Sequence, residues 1–229
     1  MTERDKILQR IRQALVMPSP KPGSHGTVFG IGAARTAAQS ARDWLPQVGP
    51  SQGDWVTRFT QNCSELKTEV IVAADAAAAQ VQLQRLAAAE QWRSVATHGA
   101  GEAAAAAASL GLPVLRTDGG YRAEELEACG AGITDCDALV AQTGSILLTA
   151  RSGGGRALSV LPPHHVVVAR REQLVPDLPA AFAWLHHCYG PAAWPSMITL
   201  ITGPSRTGDI ERILVLGAHG PKKLTVVIY

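Results

Sequence analysis

Val70-Ile71-Val72-Ala73, Asp75 to Gln91, Ser94-Val95-Ala96-Thr97-His98, Gly101 to Leu110 and Pro113-Val114-Leu115 follow one another along the chain, and their alternation decides the fold. The three short runs are rich in aliphatic and β-branched residues and have the length of strands. The two segments between them are long enough for helices, and Asp75 stands where an N-cap side chain is needed. Strand–helix–strand–helix order implies parallel strands joined by helical crossovers. The alanine runs at 76–79 and 103–108, set between strands, are best explained as helices lying close against a sheet. Tyr121 to Ala128 reads as a further helix.

Outward from this stretch the pattern loosens. Ser145-Ile146-Leu147-Leu148-Thr149 and His165-Val166-Val167-Val168 read as strands joined by the flexible Arg151-Ser152-Gly153-Gly154-Gly155-Arg156. Asp177 to His187 is amphipathic, with Leu178, Phe182 and Leu185 on one face. Met197 to Ile201 and Leu224 to Ile228 are expected to complete the sheet. The fold class is therefore α/β, with a mixed, mostly parallel sheet flanked by helices. At the other end, Ile7, Leu8, Ile11 and Leu15 recur at helical spacing until Pro18, Pro20, Pro22 and Gly23 stop the helix. Two parts are expected: residues 1–35, an amphipathic helix and a Pro/Gly-rich linker, and residues 36–229, the α/β domain. The helix needs a surface for its apolar stripe, on its own body or on a partner.

Bulk composition narrows the functional classes. The chain has 229 residues, is 46% hydrophobic and 17% charged, and carries a formal charge of +2, so it has material for a real core. No sustained basic run supplies a phosphate-neutralising stripe, which argues against nucleic acid as a partner. Cys63, Cys129, Cys136 and Cys188 form no C-x-x-C pair, so local spacing assembles neither an iron–sulfur cluster nor a zinc ribbon. No metal site is expected. No apolar stretch approaches the roughly 18 residues of a membrane span, and the charged start is no signal core, so a cytoplasmic protein is expected.

Four clusters hold the residues with chemical potential. Gln142-Thr143-Gly144-Ser145 precedes a strand, where glycine permits close backbone approach and hydroxyls can meet an anion; a plain turn is the competing role. In Leu161-Pro162-Pro163-His164-His165, adjacent strand residues point to opposite faces. One histidine can therefore face a pocket while the other packs elsewhere, and the pair cannot easily bind one metal. Gly203-Pro204-Ser205-Arg206-Thr207 ends a strand, ahead of Gly208-Asp209-Ile210-Glu211, where a short helix is expected. An anion would there meet free amides and the arginine fork, while Asp209 and Glu211 would cap the helix. Gly217-Ala218-His219-Gly220-Pro221 leaves a histidine between small residues, free to project into a cleft. Lys222 and Lys223 either extend an electropositive rim or serve as solubilising charge. All four clusters occupy strand-to-turn boundaries and are expected to converge on one cleft.

Together these segments resemble the LUD-domain family, of the lactate-utilization protein C type. The resemblance runs from Gly132-Ile133-Thr134 through Ala141 to Ser145, Leu158 to His165, Gly203 to Glu211 and Gly217 to Pro221, and covers roughly the C-terminal hundred residues strongly. It implies a fold similar to the NagB/RpiA/CoA-transferase superfamily. It also implies a part in oxidising L-lactate to pyruvate beside separate iron–sulfur subunits, this chain being the member without clusters or any cofactor of its own. Gln142 stands where many relatives have glutamate, and an amide cannot act as a carboxylate nucleophile. Gly208 replaces the familiar alanine. The expected ligand is a small carboxylate or phosphate held by Thr143, Gly144, Ser145, Gly203, Ser205, Arg206 and Thr207, with His164 and His219 as proton-transfer candidates. Two other functions fit the same residues: a free-standing enzyme acting on a sugar phosphate or carboxylate, and a non-catalytic assembly protein that docks through its N-terminal helix.

Overall fold

The computed structural model describes residues 3–16, 47–190, 193–207, 215–217 and 219–229. The chain divides into two units, Met1–Ser40 and Ala41–Tyr229. The first contains α1 (Glu3–Val16), so the expected helix forms; Ile7 and Leu8 on it are exposed. The side chains of Ile11 and Leu15, and the linker at 18–35, lie outside the described residues.

In the second unit the expected alternation is present. Strands β1 (Glu69–Val72), β2 (Val95–Thr97) and β3 (Val114–Arg116) alternate with α3 (Ala76–Ala89) and α4 (Glu102–Ser109). The Asp75 carboxylate accepts from the Ala78 amide at 2.8 Å and caps α3 as expected. Helix α2 (Gln52–Glu65) precedes them, opened by a capping box between Ser51 and Asp54. Helix α5 (Ala123–Glu127) leads into β4 (Ala131–Thr134), and β7 (His164–Ala169) and β12 (Lys223–Ile228) complete a six-stranded, wholly parallel sheet ordered β1-β12-β7-β4-β2-β3.

The expected single mixed sheet is in fact two sheets. Strands β5 (Ala138–Val140), β6 (Ser145–Thr149), β8 (Leu174–Val175) and β9 (Ile198–Ile201) form a separate four-stranded sheet ordered β8-β5-β6-β9, so β6 and β9 do not join β7 and β12. The reason is burial. Leu139, Ile146 and Leu148 on one face meet α2 and the odd-numbered residues of β7, while Ala138, Val140 and Leu147 on the other meet α6 (Leu178–Tyr189). A strand with two apolar faces must be covered twice, and the second layer provides that cover. The opposite face of the parallel sheet takes α3 and α4, whose alanines let the helices lie close to Val95, Val166 and Val168.

This layering fixes the two histidines. Even positions of β7 face α3 and α4, and odd positions face α2 and the second sheet, so His164 and His165 open onto different sides of the sheet at its amino edge.

Candidate functional site

The four clusters meet, held together by backbone hydrogen bonds. A two-residue ribbon pairs β10 (Arg206–Thr207) with β11 (Val215–Leu216). The Gly217 amide donates to Ser205 O at 2.9 Å, the Ser205 amide to Pro221 O at 3.0 Å, and the Lys222 amide to Pro163 O at 2.8 Å. Ser145 and Thr202 join the remaining cluster through their hydroxyls, 2.8 Å apart.

Convergence does not give each residue its expected role. Gly144 has φ +65, and a Cβ there would lie 3.1–3.2 Å from Asn62, Cys63 and Leu66 of α2 and its C-cap. Close approach at this glycine therefore serves a helix, and Asn62 completes the clamp by donating to the carbonyls of Ala141 and Gln142 at 2.9 Å each. Thr143 and Ser145 hydroxyls are 2.7 Å apart and satisfy each other in a chain that ends on Thr202. These three residues are a structural joint.

The neighbouring cavity, about 190 Å3, is lined by His165, His219, Ser159, Thr199 and Ser205 against Val160, Ile201 and Leu224, with Gly203 and Gly220 at its wall. Gly203 and Ser205 thus reach the cavity as expected. Arg206 is exposed, and its Nη2 lies 3.0 Å from where a Gly203 Cβ would stand, so it borders the glycine from outside the lining. It sits in the short ribbon. Gly208 to Glu211 and the Thr207 side chain, with the expected helix and its caps, lie outside the described residues.

The cavity histidine on β7 is His165, and not His164. Its Nε2 hydrogen-bonds the Thr134 hydroxyl at 2.9 Å, and its buried Nδ1 has no partner among the described residues. Burial, and then the neighbouring His164, push its pKa down to about 3, so the ring is neutral. His164 occupies the opposite face, edge-on to Trp92 with centroids 5.3 Å apart, and its Nε2 lies 2.8 Å from the Thr225 hydroxyl. Burial lowers its pKa to about 4. His219, exposed, is the remaining imidazole of the cavity. Ser159 and Thr199 were not legible as site residues; the Ser-Val-Leu run before the two prolines was the available signal for Ser159, and nothing marked Thr199.

At the carboxyl edge of the parallel sheet, where α/β folds usually place ligands, the chain's own side chains crowd in and leave a small void of about 30 Å3 beside Glu102, Val168, Val227 and Tyr229. Asp135 accepts from the Ala103 amide at 2.8 Å and so caps α4, and a Cβ on Gly101 would meet Asp135 Oδ2 at 2.2 Å. Tyr229 donates to Glu102 at 2.6 Å, Arg170 pairs with the same carboxylate, and Gly154 packs onto the His98 ring. Cys63, Cys129 and Cys136 are buried free thiols, and burial pushes the Cys63 thiol up to about 12. Among the described residues no three His, Cys, Asp or Glu side chains gather to hold a metal ion, and no helix is long and apolar enough to cross a membrane.

The family model of the LUD domain matches residues 56–229. Among curated relatives, lactate utilization protein C of Geobacillus sp. (strain WCH70) is 37% identical over 103 residues, 44% of this chain and 43% of that protein. The protein of the same name from Shouchella clausii is 34% identical over 105 residues, 46% of each. These matches span less than half the length of those relatives. Lactate utilization protein C of Geobacillus thermodenitrificans aligns over 98% of this chain and 95% of its own length at 27% identity. A crystal structure of a DUF162 family protein from Deinococcus radiodurans superposes with a TM-score of 0.60 at 23% identity, covering 79% of this chain and 99% of that one, a likeness of fold.

Proposed function

The chain belongs to the LUD-domain family, and from that premise we propose that it is a component of L-lactate utilization that binds a small anionic ligand in the cavity between His165 and His219. The observation that carries this reading is the meeting of three separate segments, Ser159–His165, Gly203–Ser205 and His219–Pro221, around one cavity. At about 190 Å3 it is smaller than the ~300–1,000 Å3 of pockets for drug-sized ligands, and has room for a three-carbon acid.

Two kinds of group are on offer inside. The hydroxyls of Thr199 and Ser205 supply donors for a carboxylate, Ser159 Oγ donates to Arg156 O at 3.3 Å and offers an acceptor, and Val160, Ile201 and Leu224 suit a methyl group. His165 is neutral and fixes a hydroxyl or keto oxygen without adding charge. His219 is the proton-transfer candidate, being the imidazole with access to solvent. Oxidation of lactate releases two electrons, and partner subunits carrying iron–sulfur clusters are the proposed acceptors. The names of the relatives support a place in lactate utilization.

Calorimetric titration of L-lactate, pyruvate and phosphate into the purified chain tests the site. His219→Asn and Ser205→Ala are expected to weaken lactate or pyruvate by about 1 kcal/mol each, the ordinary worth of one hydrogen bond. Deleting the gene should abolish growth on lactate. Normal growth on lactate after deletion, or acid binding indifferent to both substitutions, would remove the proposal.

A further inference from the structure

On the His164 face of β7, two adjoining grooves of about 330 and 260 Å3 share Glu90, His164, Lys222 and Lys223, and the smaller also touches Pro204 and Leu224 of the cavity wall. Their hydrogen bonding determines where the proton of His164 sits. Thr225 Oγ1 donates to Glu69 Oε2 at 3.1 Å, which commits its single proton. The 2.8 Å contact between Thr225 and His164 is therefore the imidazole Nε2–H donating to the hydroxyl. In the neutral ring the lone pair is then on Nδ1. That atom is buried, in a residue only 3% exposed, and has no partner among the described residues.

A buried acceptor without a donor is costly to leave, and so points to something that supplies an O–H or N–H. The charges around it say what else that ligand carries. Lys223 is held by both oxygens of Glu90, at 2.6 and 2.7 Å. Lys67, Arg93 and Lys222 line the grooves and meet no carboxylate among the described residues. Glu69 is the remaining carboxylate, occupied by Thr225. Gly217 leaves room for Lys222, whose Cγ a Cβ at that position would overlap.

We propose that this groove is a second anion site, separate from the cavity, which takes a small oxyanion carrying its own O–H: hydrogen phosphate, or a hydroxy acid. The unpaired cations attract the charge. The Nδ1 lone pair of His164 accepts the O–H and repels an oxyanion that has none. Burial holds the ring neutral near pH 7, which keeps that lone pair available. The site does not depend on the lactate reading, because no cavity histidine takes part in it.

Phosphate against sulfate is the direct probe: both are small tetrahedral anions, but only phosphate carries a proton near neutral pH. Glycolate against acetate probes the hydroxy-acid source in the same way. Calorimetry on the full chain at pH 7 and fixed ionic strength should show phosphate, glycolate or both binding at least tenfold tighter than the proton-free twin. Nitrogen NMR of the wild-type imidazoles should show the His164 Nδ1 resonance moving at saturation. His164→Leu, which removes the Nδ1 acceptor and leaves Thr225 its bond to Glu69, should erase the discrimination; Lys222→Gln should weaken both anions of a pair. Equal affinities within both pairs, or an unmoved His164 signal, would overturn the proposal. So would discrimination that survives His164→Leu or disappears in His219→Asn instead, since the anion would then sit in the cavity. If His164→Leu does not fold, the wild-type NMR titration decides.

Discussion

His164 and His165 are adjacent, buried and differently employed, which makes this pair the most sensitive titrating feature of the molecule. Their pKa values, about 4 and about 3, lie below the ordinary 6.5 because burial penalises the charged ring. A lowered pKa means the unfolded chain binds protons that the folded chain refuses. The stabilisation is therefore complete above pH 6.5 and is lost as pH falls toward 4. Each ring contributes a slope of up to about 1.4 kcal/mol per pH unit, so the pair should remove about 1–3 kcal/mol per unit between pH 6 and 4. Asp54, Glu102 and Asp118, whose pKa values are also lowered, act in the same direction but below the ordinary carboxylate range, outside most of this window. Urea unfolding from pH 7 to 4 reads the effect directly. A midpoint that stays constant from pH 7 to 5 would show that at least one ring accepts a proton in the folded state. Alternation along the strand told in advance that the two rings part company. Which one meets His219 was not legible, because that depends on which face of β7 receives the second sheet.

At the scale of elements, α2 does work that the sequence barely announces. It carries Asn62, which ties down the turn between β5 and β6, and it leaves space only for a hydrogen at Gly144. Asn62→Ala removes two hydrogen bonds to backbone carbonyls and should cost about 1–3 kcal/mol. Gly144→Ala combines a left-handed φ with a crowded Cβ, so it should cost at least about 1–2 kcal/mol while leaving Asn62 in place. Denaturant midpoints of both variants and of the double variant check this. Strict additivity would mean that the turn and the helix are not coupled, against the shared contact at Asn62. Long elements with a clear period, such as α3, α4 and β6, were legible from their own residues. Strands β4 and β5 were not: Ala131-Gly132-Ile133-Thr134 and Ala138-Leu139-Val140 are short and buried on both faces, so they lack the alternation that identifies a strand. The two-residue strands β8, β10 and β11 exist only through their partners, and no local signal precedes them.

The whole molecule depends on a strand that comes late in the chain and sits in the middle of the sheet. Strand β12 pairs in parallel with β1 on one side and β7 on the other, so it joins the first strand of the fold to the rest. The β1–β2–β3 reading of the opening stretch predicted parallel crossovers, but it gave no hint that β1 lies apart from β2, with three strands between them. That separation is nonlocal information, set by where the aliphatic run near residue 226 finds two open edges. The same run positions chemistry, since Leu224 walls the cavity while Thr225 holds His164. Leu224, Val226, Val227 and Ile228 are each 3% exposed or less. At about 1.5–3 kcal/mol for each buried side chain, their combined contribution is about 6–12 kcal/mol, comparable to the whole net stability of ~5–15 kcal/mol. Removing residues 222–229 also leaves the β1 and β7 edges without hydrogen-bond partners. The truncated chain is therefore expected to show no cooperative thermal transition by near-ultraviolet circular dichroism and to bind a hydrophobic dye at room temperature. Val226→Asp, which keeps the strand length but buries a charge in its centre, should do the same. A cooperative melt near the wild-type midpoint in either variant would mean that the sheet closes without β12, and that the parallel order β1-β12-β7 is not what holds this fold together.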